Sequence, residues 1–177
     1  MKHSEALNIA KPLYDKLKEV SSVIFVAGSL RRLKADVGDI EIVASIPMEK
    51  RTAMYKILEQ SCTHVKGMGK GRNMQWQDKR TGIIIDLFLP VENDFYRVLA
   101  IRTGSAEYTK RLIAGGWVKK GWVGTDEGLR LRTECAKKGN KWICIVQNPT
   151  LPPVWKSEKE FFQWLDVRWT EPKERGL

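Results

Sequence analysis

Asp39 and Glu41 stand two residues apart in VGDIEIV, where alternation through Ile40, Ile42 and Val43 predicts a strand over residues 39–46. Side chains two apart on a strand leave the same face. The two carboxylates therefore repel each other and lose hydration unless a cation lies between them. Asp86 interrupts IIIDLFL, residues 83–89, where a carboxylate among so many apolar neighbours requires a partner of its own. If the two strands are neighbours, the three acids converge. Three carboxylates and the oxygens of a phosphate make the ligand set that octahedral Mg²⁺ takes. Two such ions about 3.5–4 Å apart activate a hydroxyl and support a leaving pyrophosphate. A DxE pair alone fits a solvated strand edge equally well, and the weight lies in the conjunction with Asp86 and with the segment upstream.

That segment is Gly28-Ser29-Leu30-Arg31-Arg32, at the end of a strand predicted over residues 23–27. A glycine turn exposes backbone N–H groups, and with the Ser29 hydroxyl it can cradle a phosphate. Arg31 and Arg32 add forked, charge-assisted donors of the kind that hold a triphosphate. Read singly, a Gly-Ser pair after a strand is an ordinary turn.

The elements that must position these groups are partly readable. Apolar residues at three- and four-residue steps predict an amphipathic helix over residues 4–20, with Ser4 as its N-cap, and a second helix over 48–61. The glycines of residues 67–71 break the chain before a candidate strand at 73–77. A turn at 78–82 then joins that strand to 83–89 as a hairpin. Helices are predicted over 94–102 and 105–114, the latter ended by Gly115-Gly116. Strand-like pieces follow at 117–118, 129–132 and 141–146, and a helix at 157–165 opens on Ser157 and Glu160, which fit a capping box. The boundary between two lobes is placed near residues 102–106.

Lys and Arg number 31 against 21 Asp and Glu, a formal net charge of +10, which favours a polyanionic partner such as nucleic acid. Lys119, Lys120, Arg130 and Arg132, with Lys137, Lys138 and Lys141, are candidates for a phosphate-tracking surface in the second lobe; Lys66, Lys70 and Arg72 are candidates in the first. Met68 and Met74 read as packing residues. Seven tryptophans read mainly as core or interface anchors. Cys62, Cys135 and Cys144, with only His3 and His64 beside them, have no zinc-site spacing and no CxxC pair, so neither a zinc site nor a disulfide framework is expected. No apolar run approaches the roughly 18 residues of a spanning helix, and the N-terminus lacks a signal peptide's apolar core. No membrane association and a cytoplasmic or otherwise intracellular location are expected.

GSLRR, VGDIEIV and IIIDLFL together resemble the palm of the family X DNA polymerases, within the polymerase-beta-like nucleotidyltransferase superfamily. Thr103-Gly104-Ser105 is similar to that family's TGS motif, and SEKEFFQWLDVRWTEPKERGL is similar to its C-terminal segment. The second acid is Glu41 where the best-known members carry Asp. Ile101 and Arg102 precede TGS where aromatic residues are common, and Thr109 replaces an asparagine.

The resemblance implies an α+β fold: a nucleotidyltransferase palm with a mixed sheet and flanking helices over residues 1–103, and a small α+β lobe that binds nucleotide and DNA over 104–177. It implies that Asp39 and Glu41 ligate two Mg²⁺ ions, with Mn²⁺ as a substitute, and that Asp86 ligates the catalytic one and helps draw the proton from a primer 3′-hydroxyl. Gly28, Ser29 and Arg32 would hold the β and γ phosphates, approached by the backbone of Gly38. Thr103, Gly104 and Ser105 belong to the nucleotide site, with Thr103 and Gly104 against the sugar and Lys110 against the templating base. The implied activity is addition of dNTPs to a primer end on a DNA template-primer or gapped duplex, by a monomer without the lyase and helix-hairpin-helix modules of larger relatives. Two other readings stay open: transfer to a non-DNA acceptor such as a tRNA end, a protein or a small molecule, and a non-catalytic nucleic-acid-binding relative.

Overall fold

The computed structural model describes residues 1–67 and 72–176. The chain is a mixed α+β protein with two mixed sheets and several helices. Helix α1 (His3–Lys18) buries Ala6, Ile9, Ala10, Leu13 and Leu17, the stripe that three- and four-residue spacing demands. It starts one residue before the predicted cap. Ser4 lies inside the first turn, and the Glu5 carboxylate instead accepts from the Lys2 N–H at 3.0 Å. Strand β1 (Val23–Val26) runs into a single turn of helix, α2 (Gly28–Arg31), where a plain turn was expected. Strand β2 (Asp39–Ser45) is followed by a 3₁₀ turn (Met48–Lys50) and α3 (Arg51–Ser61).

Strand β3 (Cys62–Lys66) was not expected, and the hairpin β4 (Asn73–Asp78) and β5 (Ile84–Phe88) was. These strands form one sheet in the order β1-β2-β5-β4-β3, in which β2 and β5 are parallel and every other pair is antiparallel. Alternation divides its faces. Ile40, Ile42, Ala44, Met74, Trp76, Ile85 and Leu87 point toward α1 and α3 and make one continuous core. Each such aliphatic side chain contributes about 1.5–3 kcal/mol relative to exposure. Val43 and Phe88 face the other way and pack on Phe95 and Leu99 of α4 (Phe95–Thr103). Asp39, Glu41, Gln75 and Asp86 lie on that second face, beyond the end of the apolar patch.

After α4 come α5 (Ala106–Tyr108), a π-helical segment (Thr109–Ala114) and α6 (Gly115–Lys119). The strand expected at 117–118 is therefore helix, and Gly115-Gly116 does not end it. Gly116 has a packing role: a Cβ there would come within 3.0 Å of Leu165. The second sheet has the order β7-β6-β9-β8, built from β6 (Trp122–Thr125), β7 (Gly128–Leu131), β8 (Cys135–Lys138) and β9 (Lys141–Cys144). Helix α7 (Glu158–Trp164) closes this part. Ser157 caps it, accepting from Glu160 N–H at 3.1 Å, but the Glu160 carboxylate accepts from Lys156 N–H instead of completing a box with Ser157. Trp117, Trp155, Phe161, Phe162 and Leu165 form a second core, with Trp122, Trp164 and Trp169 packed against it. Among the described residues no helix is long and apolar enough to cross a membrane.

Candidate active site

The parallel register of β2 and β5 sets Glu41 opposite Asp86 and Asp39 opposite Ile84, so the three acids occupy adjacent positions on one face of two paired strands. Their charges are felt mutually. Burial pushes the Asp39 carboxyl above its ordinary value, and repulsion from Asp86 adds to it against the pull of Arg32. Glu41 is pushed from 4.5 up to about 7, first by burial and then by Asp39, with Asp86 adding a smaller push and Arg102 and Arg32 opposing. The site holds more negative charge than its arginines neutralise.

Two contacts fix where the acids rest. Gln75, opposite Asp86 on β4, donates its side-chain N–H to Asp86 Oδ1 at 3.0 Å. The Glu41 carboxyl lies against the backbone of Gly28, whose φ of +63° suits glycine and whose missing Cβ would overlap Glu41 Oε2. The glycine of the GS turn thus makes room for the acid as well as for the turn. Among the described residues no three His, Cys, Asp or Glu side chains are grouped as a ready-made ion cage. Glu41 rests toward Gly28 and Asp86 toward Gln75.

Beside the acids, the α2 turn carries donors without acceptors. Among the described residues, the Ser29 hydroxyl and Arg32 Nε are buried with no hydrogen-bond partner. Buried polar groups left unpaired are rare in folded proteins, and an ordered water or a bound ion is among the things that complete their bonding. Arg32 Nη1 donates to the Thr103 carbonyl at 2.7 Å, which holds the guanidinium beside the acids. Gly38 is exposed just before Asp39, with open space where a side chain would project. Three carboxylates, a hydroxyl and a guanidinium lie close together here, and carboxylate oxygens are the ligand type that Mg²⁺ takes.

A cleft of about 510 Å³ opens from Glu41 and Arg32 past Arg102 to Gly104, Thr109 and Lys110. Its far wall is the start of the π-helical segment, a departure from α-helical geometry common at functional sites. Arg102 stacks 4.0 Å over the Phe88 ring and counters the charge of Glu41. Thr103 is fully buried: its hydroxyl accepts from Arg31 Nη1 at 2.6 Å, so it orients both arginines and offers no side-chain surface to a sugar. Gly104 is packed closely by Tyr108 and Thr109, and Ser105 caps α5 by accepting from Tyr108 N–H at 3.2 Å. Lys110 is exposed along the cleft.

Arg31, expected at a phosphate, lies elsewhere. It makes a two-pronged ion pair with Glu158 at 3.0 and 3.1 Å, and Arg175, fully buried, grips the same carboxylate at 2.7 and 3.0 Å. Burial alone would raise the Glu158 carboxyl, but hydrogen bonds from Arg175 and Arg31 outweigh it and hold the pKa below its ordinary value. The SEKE and EPKER segments thus meet the GSLRR turn in one buried knot that ties the C-terminal segment to the site.

The candidate DNA-binding residues are scattered. Arg130 is turned inward, bonded to the Leu129 carbonyl and to Glu127, which corrects the expectation of a surface contact. Arg132 is exposed and stands 5.6 Å from the Trp142 ring centre. Lys119 is exposed, and Lys120 pairs with Asp166 at 2.5 Å. Arg72 donates to the Asp126 carbonyl, Lys141 pairs with Asp126 at 2.9 Å, and Lys66, Lys137 and Lys138 are exposed. Met74 is buried in the core as expected, whereas Met68 and Lys70 lie outside the described residues. Gln75 escaped the sequence reading, although counting back across the 78–82 turn from Asp86 would have found it.

No protein-family model matches the chain, and no curated protein matches it significantly.

Proposed function

We propose that the chain is a magnesium-dependent nucleotidyltransferase that adds nucleotides to a DNA 3′ end, with a palm followed by a second lobe. The observation that carries this reading is the pairing of Glu41 with Asp86, next to Asp39, beside a turn whose Ser29 hydroxyl and Arg32 Nε are buried and unpaired. The acids need cations, the donors need an anion, and a metal-bound triphosphate satisfies both.

Bound among Asp39, Glu41 and Asp86, Mg²⁺ would acidify the attacking hydroxyl and stabilise charge on the leaving pyrophosphate. The chain's own residues do the positioning. Ser29 and Arg32 hold phosphate oxygens, Arg32 being aimed by its bond to the Thr103 carbonyl. Gly104 and the π-helical segment bound the space left for sugar and base. Asp86, steadied by Gln75, accepts the proton of the attacking hydroxyl. Glu41 must first release its own proton, since its pKa stands at about 7, and Arg102 lowers that cost. Catalysis then rests on alignment and fixed charge.

A DNA acceptor is supported by the net charge of +10 and by exposed Lys110, Lys119 and Arg132. The test is incorporation of labelled dNTP on gapped, recessed and single-stranded DNA with Mg²⁺. Template-directed incorporation, strongest on the gapped duplex, is expected. Addition that ignores the template would overturn template direction, and transfer to a tRNA end alone would overturn the assignment of acceptor.

A further inference from the structure

Cys135 and Cys144 face each other across the antiparallel β8–β9 pair, apart from the acid site. The alternation of that ladder places them well for bonding. Ile145 N–H donates to the Glu134 carbonyl at 3.0 Å, and those two residues are the next pair along. Residues opposite each other alternate between hydrogen-bonded and non-hydrogen-bonded pairs, so Cys135 and Cys144 form a non-hydrogen-bonded one. Such pairs have Cα atoms about 4.5 Å apart, inside the range of about 4.4–6.8 Å that disulfides span. Burial first, and then the neighbouring Cys144, raise the Cys135 thiol above its ordinary pKa, while the Cys144 thiol donates to the Val146 carbonyl at 3.7 Å. Both are reduced and partly accessible, whereas Cys62 is buried under α3.

We propose that Cys135 and Cys144 are a reversible redox site that closes to a cross-strand disulfide when exposed to a low-molecular-weight disulfide such as oxidised glutathione. One cysteine gives its proton to solvent, and the thiolate attacks a glutathione sulfur. The glutathione S–S bond breaks, one glutathione thiolate leaves, and a mixed disulfide remains on the protein. The second cysteine, likewise deprotonated, attacks the protein sulfur of that mixed disulfide and expels the second glutathione thiolate. Two protein thiols are oxidised and one glutathione disulfide is reduced to two thiols. The pairing favours the second step, because the resolving cysteine stands directly opposite on the neighbouring strand.

The clasp would fix the hairpin that carries Lys137, Lys138 and Lys141, and with it the Glu134 carboxylate that accepts from the Thr150 N–H and hydroxyl. Its formation is independent of the proposed activity.

The experiment treats the full chain with oxidised glutathione under native conditions and follows intact mass, free thiols and tryptic peptides. The expected product is lighter by two hydrogens, retains the Cys62 thiol, and yields peptides cut after Lys137, Lys138 or Lys141 that stay joined until reduced. In a Cys144→Ser variant the mixed disulfide on Cys135 should persist, with circular dichroism confirming the fold. Persistent glutathione adducts on both cysteines of the wild-type protein, or untouched thiols, would overturn the proposal. So would an equally clean bond in urea, because the pairing would then owe nothing to the sheet.

Discussion

Glu41→Gln tests the electrostatics of the acid site without reference to turnover. The native protein holds the Glu41 proton up to about pH 7, whereas an unperturbed carboxyl releases it near 4.5. Between those values the folded form binds more protons than the unfolded chain, so stability falls as pH rises through the window. Moving a carboxyl from 4.5 to about 7 separates the two states by about 3 kcal/mol, at about 1.4 kcal/mol per pH unit. Glu41 keeps some contact with solvent, which screens the effect, so about 1–2 kcal/mol is the expected penalty at pH 8. Glutamine removes that charge and eases the repulsion on Asp39. Urea unfolding at pH 8 should therefore show the variant about 1–2 kcal/mol more stable than wild type, and at pH 4 the two should coincide. A variant that is less stable at pH 8 would mean that Arg102 and Arg32 more than compensate the carboxylate, and the reasoning would fail. The same burial predicts that Mg²⁺ binding by the wild type releases a proton below pH 7, seen in calorimetry as a heat that depends on the buffer.

Three further outcomes follow from single contacts. Gly28→Ala should cost about 1–3 kcal/mol, since alanine disfavours the positive φ and meets Glu41, and the cost should shrink in a Glu41→Ala background as a measured coupling in a double-mutant cycle. Arg175→Ala leaves Glu158 buried with one arginine instead of two, so a loss of about 3–5 kcal/mol in urea unfolding is expected; a loss under about 1 kcal/mol would remove the knot from the account. Gln75→Ala frees Asp86 Oδ1, and kcat should fall about 10-fold with KM for nucleotide unchanged.

Much of the acid-bearing sheet was legible because its signals are local. The two-residue period of β2 and β5 puts Asp39, Glu41 and Asp86 on the face opposite the Ile and Leu side chains, and the 78–82 turn sets the β4–β5 register. Other elements depended on distant partners. Strand β3 has little alternation in Cys-Thr-His-Val-Lys and exists because β4 offers it an edge. The helix through Gly115-Gly116 overrides poor local propensity because Leu165 packs where a side chain would stand. Arg31 looked equivalent to Arg32 in sequence. Only contacts with Glu158, 127 residues away, separate the structural arginine from the one with an unpaired nitrogen. Arg130 misled for a related reason, since charge alone does not tell which face of a short strand is covered.

If Asp39 and Asp86 hold the metal ions of a nucleotidyltransferase, labelled dNTP incorporation on a gapped duplex with Mg²⁺ depends on both. Wild type should extend the primer according to the template, and Asp39→Ala with Asp86→Ala, folded by circular dichroism, should lose activity by on the order of 10³-fold or more. Undiminished incorporation by that folded double variant would mean that the two aspartates hold no catalytic metal.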